Sequence, residues 1–271
     1  MSFYAQIFPH LKVAKNNHQV WLTLDNQEQM NAISLEMVAS LTQVLKYADF
    51  DSDVRVIVIT GTGPAFCAGG DIKAMENKTG MFHGDPNELR MRYMHGIQQI
   101  PLVMESLSKP VIAMVQGAAI GAGCDLAMMC DLRVGTHRSK FGETFVKLGL
   151  VPGDGGSYFL QRVIGYSKAM QMSLTGDIVA GEEAFNMGLL TMFVSETDLK
   201  SETEALATKI ANNAPVAVQM TKKLMKLAAH SDLQTVLDMA AAYQGITQRT
   251  EDHFKALTAM KDKNSADFTG K

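Results

Sequence analysis

Three glycine-rich turns hold most of the chemical potential of this sequence. They are Phe66-Cys67-Ala68-Gly69-Gly70-Asp71, the stretch from Gly117 to Gly123, and Val151-Pro152-Gly153-Asp154-Gly155-Gly156. Each precedes a segment of helical pattern, beginning at Ile72, Cys124 and Ser157. A turn of this kind offers unpaired backbone N–H groups, and the helix that follows adds the positive end of its dipole. It can hold a phosphate, or the negative oxygen that develops on a carbonyl during reaction. It can also serve only as a tight turn. None carries a nucleotide signature. After Gly61-Thr62-Gly63, the third glycine of a G-x-G-x-x-G run falls on Phe66, and no turn continues into the Gly-Lys-Ser/Thr of a P-loop. NAD and ATP are unsupported.

The elements that must position these turns alternate along the chain. Val20-Trp21-Leu22-Thr23-Leu24 reads as a strand. Ile33 to Phe50 has the apolar spacing of an amphipathic helix, with Ser34 as its N-cap. The apolar runs Val54 to Thr60 and Val111 to Gln116 read as buried strands, and Leu132 to Gly135 as a short one. Lys78 to Glu88 has the composition of a mobile loop, and Leu89 to Leu107 that of a helix. Beyond about Ser201, glycine becomes rare and Ala, Lys, Met and Leu recur at helical spacing. The expected division is an α/β core over residues 1–197 and an all-helical region over 198–271.

Composition narrows the function classes. The chain has 271 residues, 46% apolar and 20% charged, with net charge -3. That suits a globular protein with a substantial core and gives no basic surplus for nucleic acid. Cys67, Cys124 and Cys130 form no C-x-x-C pair and sit in apolar or glycine-rich company, so reduced core thiols are expected rather than disulfides or a zinc site. The run from Pro110 to Met129 is interrupted by Asp125 and by glycines, unlike a membrane span. The N-terminal residues lack the pattern of a secretory signal. A cytoplasmic location follows as an expectation.

Two of the turns carry a family resemblance. Ala65-Phe66-Cys67-Ala68-Gly69-Gly70-Asp71-Ile72-Lys73 is similar to the AFxAGaDIK segment of enoyl-CoA hydratases and isomerases, the crotonase superfamily. Pro110 to Gly117 and Gly121 to Asp131 resemble that family's KPVIAavnG and GGGceLAmmcD segments. Met30-Asn31-Ala32, Phe141-Gly142, Leu148 to Pro152, Leu174 to Asp177 and Asp267 to Lys271 resemble further family segments, in the same order. The resemblance implies a spiral of ββα repeats ending in helices that assemble a homotrimer or a dimer of trimers. It implies an acyl-CoA substrate, with coenzyme A as part of that substrate and no separate cofactor or metal. It places the thioester oxygen on the backbone N–H groups of Ala68 and Ala122. Ala32, Gly69, Gly70, Asp71, Ile72, Lys73, Gly121, Phe145 and Lys261 then become candidates for contact with the acyl-CoA.

The acid and base are where this sequence departs from the family. Hydratases of this type use two glutamates. Asp125 matches the first position, one methylene shorter, while the second matches Phe145, which moves no proton. Glu143 lies two residues earlier and shares a face with Phe145 if the segment is extended. Asp154, in the third turn, is the other candidate replacement. A hydratase using two carboxylates, a double-bond isomerase using one, and a CoA-thioester binder without catalysis all remain open on the sequence. Asp71 and Asp131 also match family positions and read as structural.

Overall fold

The computed structural model describes residues 3–271. Strand β3 (Val56–Gly61) is buried at five of its six positions, as a strand with parallel neighbours on both sides must be. It lies in a six-stranded sheet of order β1-β2-β3-β5-β7-β10. The others are β1 (Leu11–Asn16), β2 (Gln19–Leu24), β5 (Val111–Val115), β7 (Leu132–Gly135) and β10 (Met192–Phe193). Only the β1–β2 pair is antiparallel. A second sheet of four strands has the order β4-β6-β8-β9, from Ala65–Cys67, Ala118–Ile120, Lys140–Gly142 and Ile178–Ala180.

The chain alternates between the two sheets. Strand β3 is followed by β4 in the other sheet, β5 by β6, and β7 by β8. Each pair advances the chain one turn of a spiral. Helices follow the first two pairs directly: α2 (Ile72–Glu76) after β4 and α5 (Ala122–Met129) after β6. The first two glycine-rich turns therefore fall at the carboxyl ends of parallel strands, the side where α/β sheets bind ligands.

Helix α1 (Leu35–Phe50) is the helix expected from Ile33 to Phe50, and Ser34 Oγ accepts the Met37 N–H at 3.1 Å as its cap. The stretch Lys78 to Glu88 is more ordered than its composition suggests. Helix α3 (Pro86–His95) starts within it, because Asp85 and Glu88 form a reciprocal capping box and Pro86 stands in the first turn. The helix expected over Leu89 to Leu107 is divided at Gly96 into α3 and α4 (Gln99–Ser106). Strand β1 is not announced by the sequence, because its outer face carries Lys12 and Ala14 at an edge.

The third turn leads into α6 (Gly156–Ile164), then α7 (Tyr166–Thr175) and α8 (Gly181–Met187). The helical tail opens with α9 (Leu199–Ala211). Its Leu199, Ala207 and Ala211 pack on Val56, Val58, Ile112 and Val134, covering one face of the larger sheet. Helices α10 (Pro215–Ala228) and α11 (Leu233–Thr247) bury no residue fully, and α12 (Glu251–Asp262) buries only Asp252. Met225, Leu237, Phe254 and Met260 are exposed.

One buried cation joins α1 to the strand that follows α4. Lys109 is 2% exposed, and its ammonium donates to the Ala48 carbonyl at 2.6 Å and to the Asp51 carbonyl. These are end groups of α1 without helical donors. Burial lowers the Lys109 pKa to about 8. Lys109→Met keeps the stem but strands those carbonyls. It is expected to cost about 2–3 kcal/mol, read as a lower midpoint in urea with an unchanged slope.

Candidate functional site

Gly121 makes the turn between β6 and α5 with φ +53° and ψ -123°, a conformation open to glycine. Its N–H donates to the Gly142 carbonyl at 2.8 Å, and Ile120 stands opposite Gly142 in the parallel β6–β8 ladder. This register carries the residue after β8, Glu143, to the first turn of α5, where Asp125 sits. Both side chains are completely buried. Asp125 Oδ2 accepts the Gly156 N–H at 3.0 Å, from the first residue of α6. A Cβ on Gly156 would collide with the Asp125 carboxylate, so the close approach requires glycine there. Asp154, two residues before α6, is 5% exposed and completes a group of three carboxyls.

The group has few conventional partners. Asp125 Oδ1, both Glu143 carboxyl oxygens and Asp154 Oδ1 meet no ordinary donor. What Glu143 does meet is the Asp125 carboxyl and the Cys124 thiol. Burial first, then the Glu143 charge and the hydrogen bond between the two, push the Asp125 pKa well above the usual carboxylate range. Burial also raises Glu143, against hydrogen bonds from Asp125 and Cys124 that act the other way. The two titrate as a unit. Burial and the Glu143 charge raise Asp154 to about 7.

Burying carboxyls this way weakens the fold as they ionise. Unfolded Asp154 loses its proton near 3.8, folded Asp154 near 7. The folded state therefore holds the extra proton between these values, and stability falls as pH rises from about 4 to about 7. The full difference is on the order of 4 kcal/mol. Asp154→Asn is expected to raise the melting temperature at pH 8 while changing it little at pH 4. Thermal melts at both values check this, and equal shifts at the two would contradict it.

The free N–H groups of the two turns differ in part from the oxyanion donors the sequence suggested. The Ala68 N–H is engaged, donating to the Met30 carbonyl at 3.0 Å. The Gly69 N–H lies near the Cys67 sulfur, where it favours the thiolate against burial. The next N–H, that of Gly70, meets no acceptor among the described residues. Ala122, the first residue of α5, likewise has an N–H without an acceptor. The two turns are in contact, since a Cβ on Gly69 would lie 3.4 Å from Ala122 N. Gly70 and Ala122 each keep a free N–H, whereas the Ala68 N–H suggested by the sequence is already taken by the Met30 carbonyl, a structural contact. The peptide orientation that decides this is set by Met30, which lies far from Ala68 in sequence.

Aromatic rings wall these turns. Atoms of Phe82, Phe145, Tyr93 and Phe159 lie within 3.0–3.7 Å of the Cβ positions of Gly70, Gly121, Gly153 and Gly155 respectively. Phe145 was joined to Glu143 on the assumption of an extended segment. The chain instead turns into a 3-10 helix over Thr144–Leu148, so Glu143 points into the core and Phe145 lies half-buried against Gly121. Phe82, Tyr93 and Phe159 were missed as site residues. Their signal was closeness in sequence to the turns or a place on α3, which pattern alone does not single out.

The remaining candidates divide. Ala32 is buried beside the first turn, where the Ile33 N–H donates to the Gly69 carbonyl at 2.8 Å. Asp71 caps α2 through the Ala74 N–H at 3.0 Å. Ile72 and Lys73 are exposed on α2. Asp131 is structural, accepting the Val111 N–H at 2.7 Å and pairing with Lys222 at 2.6 Å. Lys261 is exposed on α12. Burial raises the Cys67 thiol to about 12 and that of Cys124 well above its usual value, which keeps both protonated. Among the described residues, no group of three His, Cys, Asp or Glu is placed to hold a metal.

The family model for enoyl-CoA hydratase/isomerase matches residues 15–271. The chain belongs to the enoyl-CoA hydratase/isomerase family. It is 31% identical to a crotonyl-CoA hydratase of Syntrophomonas wolfei over 97% of this chain and 99% of that one. It is 32% identical to the 1,2-epoxyphenylacetyl-CoA isomerase of Escherichia coli, over 92% and 94%. The crystal structure of an enoyl-CoA hydratase from Bacillus anthracis superposes with a TM-score of 0.89 at 30% identity, covering 97% of this chain and all of that one. As a family member the protein is an enzyme acting on CoA thioesters, and its two-sheet spiral is the crotonase fold. Its relatives include both hydratases and isomerases, so membership alone does not choose the reaction.

Proposed function

We propose that this enzyme is an enoyl-CoA hydratase, adding water across the double bond conjugated to a thioester carbonyl. The observation that carries this reading is the buried Asp125–Glu143 pair, two adjacent carboxyls both raised above the usual carboxylate range, so that one can carry a proton beside the other's carboxylate. Hydration needs both halves of such a pair. The carboxylate takes a proton from water as its oxygen bonds to Cβ. The π electrons move onto the thioester oxygen, where the Gly70 and Ala122 N–H groups hold the enolate. The carboxyl then gives its proton to Cα as the enolate collapses. The pair ends with one proton again, on the other member, and the hydrogen bond between them returns it. Each fixed donor on the enolate oxygen contributes on the order of 3 kcal/mol. The reading requires no metal or separate cofactor.

Asp154 favours a second reading, double-bond isomerisation. It is a further buried carboxyl beside the pair, poised at about 7. One such base suffices to take a proton from Cα of a 3-enoyl thioester and return it at Cγ. Purified enzyme with crotonyl-CoA separates the readings. Loss of the conjugated-thioester absorbance supports hydration. An unchanged crotonyl-CoA signal, with absorbance gained from a 3-enoyl-CoA, replaces hydration with isomerisation.

The exposed apolar residues of α10, α11 and α12 support assembly of the enzyme with copies of itself, as a homotrimer or a dimer of trimers. Among the described residues no helix is long and apolar enough to cross a membrane. Three buried, unpaired cysteines suit a reducing cytoplasm.

A further inference from the structure

The turn that presents Gly70 is held from behind by a second turn in a costly conformation. Met30 and Asn31 are consecutive non-glycine residues in the left-handed region, at φ +50° and +59°. Such residues persist where surrounding contacts enforce them. Here the contacts run straight to the oxyanion loop: the Met30 carbonyl takes the Ala68 N–H, and the Ile33 N–H reaches the Gly69 carbonyl.

Asn31 anchors this arrangement. Its side chain is completely buried. Its Nδ2 donates to the carbonyls of Thr62 and Ala65, both at 2.9 Å, and to that of Phe66 at 3.3 Å. Its Oδ1 accepts the Asn26 N–H at 3.0 Å and the Thr62 hydroxyl at 3.2 Å. One carboxamide thus ties the 26–33 turn to the β3–β4 connection and to the strand that enters the oxyanion loop. Asn tolerates the left-handed region and supplies donors and an acceptor in one plane, which Asp and Leu do not.

We propose that Asn31 is the positioning residue of the oxyanion hole, fixing the Gly70 N–H against that of Ala122. The proposal rests on the reading of those two groups as the donors. Asn31 touches no reacting atom; it acts by holding the Met30 carbonyl and Ile33 N–H that clamp Ala68 and Gly69.

The test is Asn31→Gly, which deletes the carboxamide while accepting the left-handed backbone. The probe is acetoacetyl-CoA, whose enolate absorbs in the near ultraviolet and is favoured by a formed oxyanion hole. Butyryl-CoA, a saturated thioester, reports binding alone. We expect Asn31→Gly to lose the bound-enolate absorbance and to lower kcat for the enzyme's substrate by about 10²-fold. Its affinity for butyryl-CoA should stay within about threefold, and its melting should stay cooperative. If Asn31→Gly does not fold, Thr62→Val removes one bond to the carboxamide and carries the same readout at about three- to fivefold. Full enolate absorbance in the Asn31 or Thr62 variant overturns the proposal. So does a fall in kcat that only tracks the unfolded fraction. Ala122→Pro separates the two levels. Absorbance lost there but kept in Asn31→Gly overturns Asn31 alone, whereas absorbance kept in both overturns the donor reading with it.

Discussion

Asp125→Asn and Glu143→Gln each lower kcat for crotonyl-CoA by about 10²–10⁴-fold, the usual share of a positioned acid or base. The expectation follows from the pair being one device. With either carboxyl replaced by an amide, the remaining one has no proton to share and no neighbour to return it. The double variant should therefore be little worse than the worse single, because residues that act as a unit are strongly non-additive. Binding of butyryl-CoA should survive in all three, since neither carboxyl is needed to hold a saturated thioester. Removing one of two carboxyls whose burial disfavours ionisation should also stabilise the fold at neutral pH, the familiar exchange between active-site function and stability. Steady-state kinetics and thermal melts on the same preparations read both effects. Full turnover in Glu143→Gln would remove Glu143 from the chemistry and leave Asp125 with Asp154.

Ala122→Pro tests the other half of the site and should lower kcat/KM by at least about 10³-fold. The exchange removes the N–H donor, a loss worth about 10²–10³ in other oxyanion holes. It also places ring carbons where the enolate oxygen must sit. The fold should tolerate it. Ala122 is the first residue of α5, the helical position where proline is most at home, and Gly121 before it has no Cβ to meet the ring. Circular dichroism should match the parent while the bound-enolate absorbance of acetoacetyl-CoA disappears. A variant that turns over normally would show that the thioester oxygen lies elsewhere.

These two predictions rest on the sequence to different degrees. The segments around Gly70 and Asp125 were legible as family motifs, because they record local demands: glycines for tight turns, a carboxylate in the first turn of a helix. The Ser34 cap of α1 and the buried strands β3 and β5 were equally plain, since each is written in a few neighbouring residues. Where prediction slipped, the cause was also local. Asp85 and Glu88 formed a helix start inside a polar stretch, and Thr144–Leu148 curled where an extended chain was assumed.

What the sequence determined by itself was the family, the presence of glycine turns ready to hold an oxyanion, and three carboxylates available for acid–base work. Tertiary structure alone decided which of these act together. Glu143 meets Asp125 only because the parallel register of β6 on β8 sets Ile120 opposite Gly142. The free donor is Gly70 rather than Ala68 only because Met30, from a turn more than thirty residues earlier, occupies the Ala68 N–H. Spacing along the chain fixes which residues can face one way on a helix or strand. The direction of a single N–H, and the neighbours of a buried carboxyl, depend on contacts between segments that no local pattern contains.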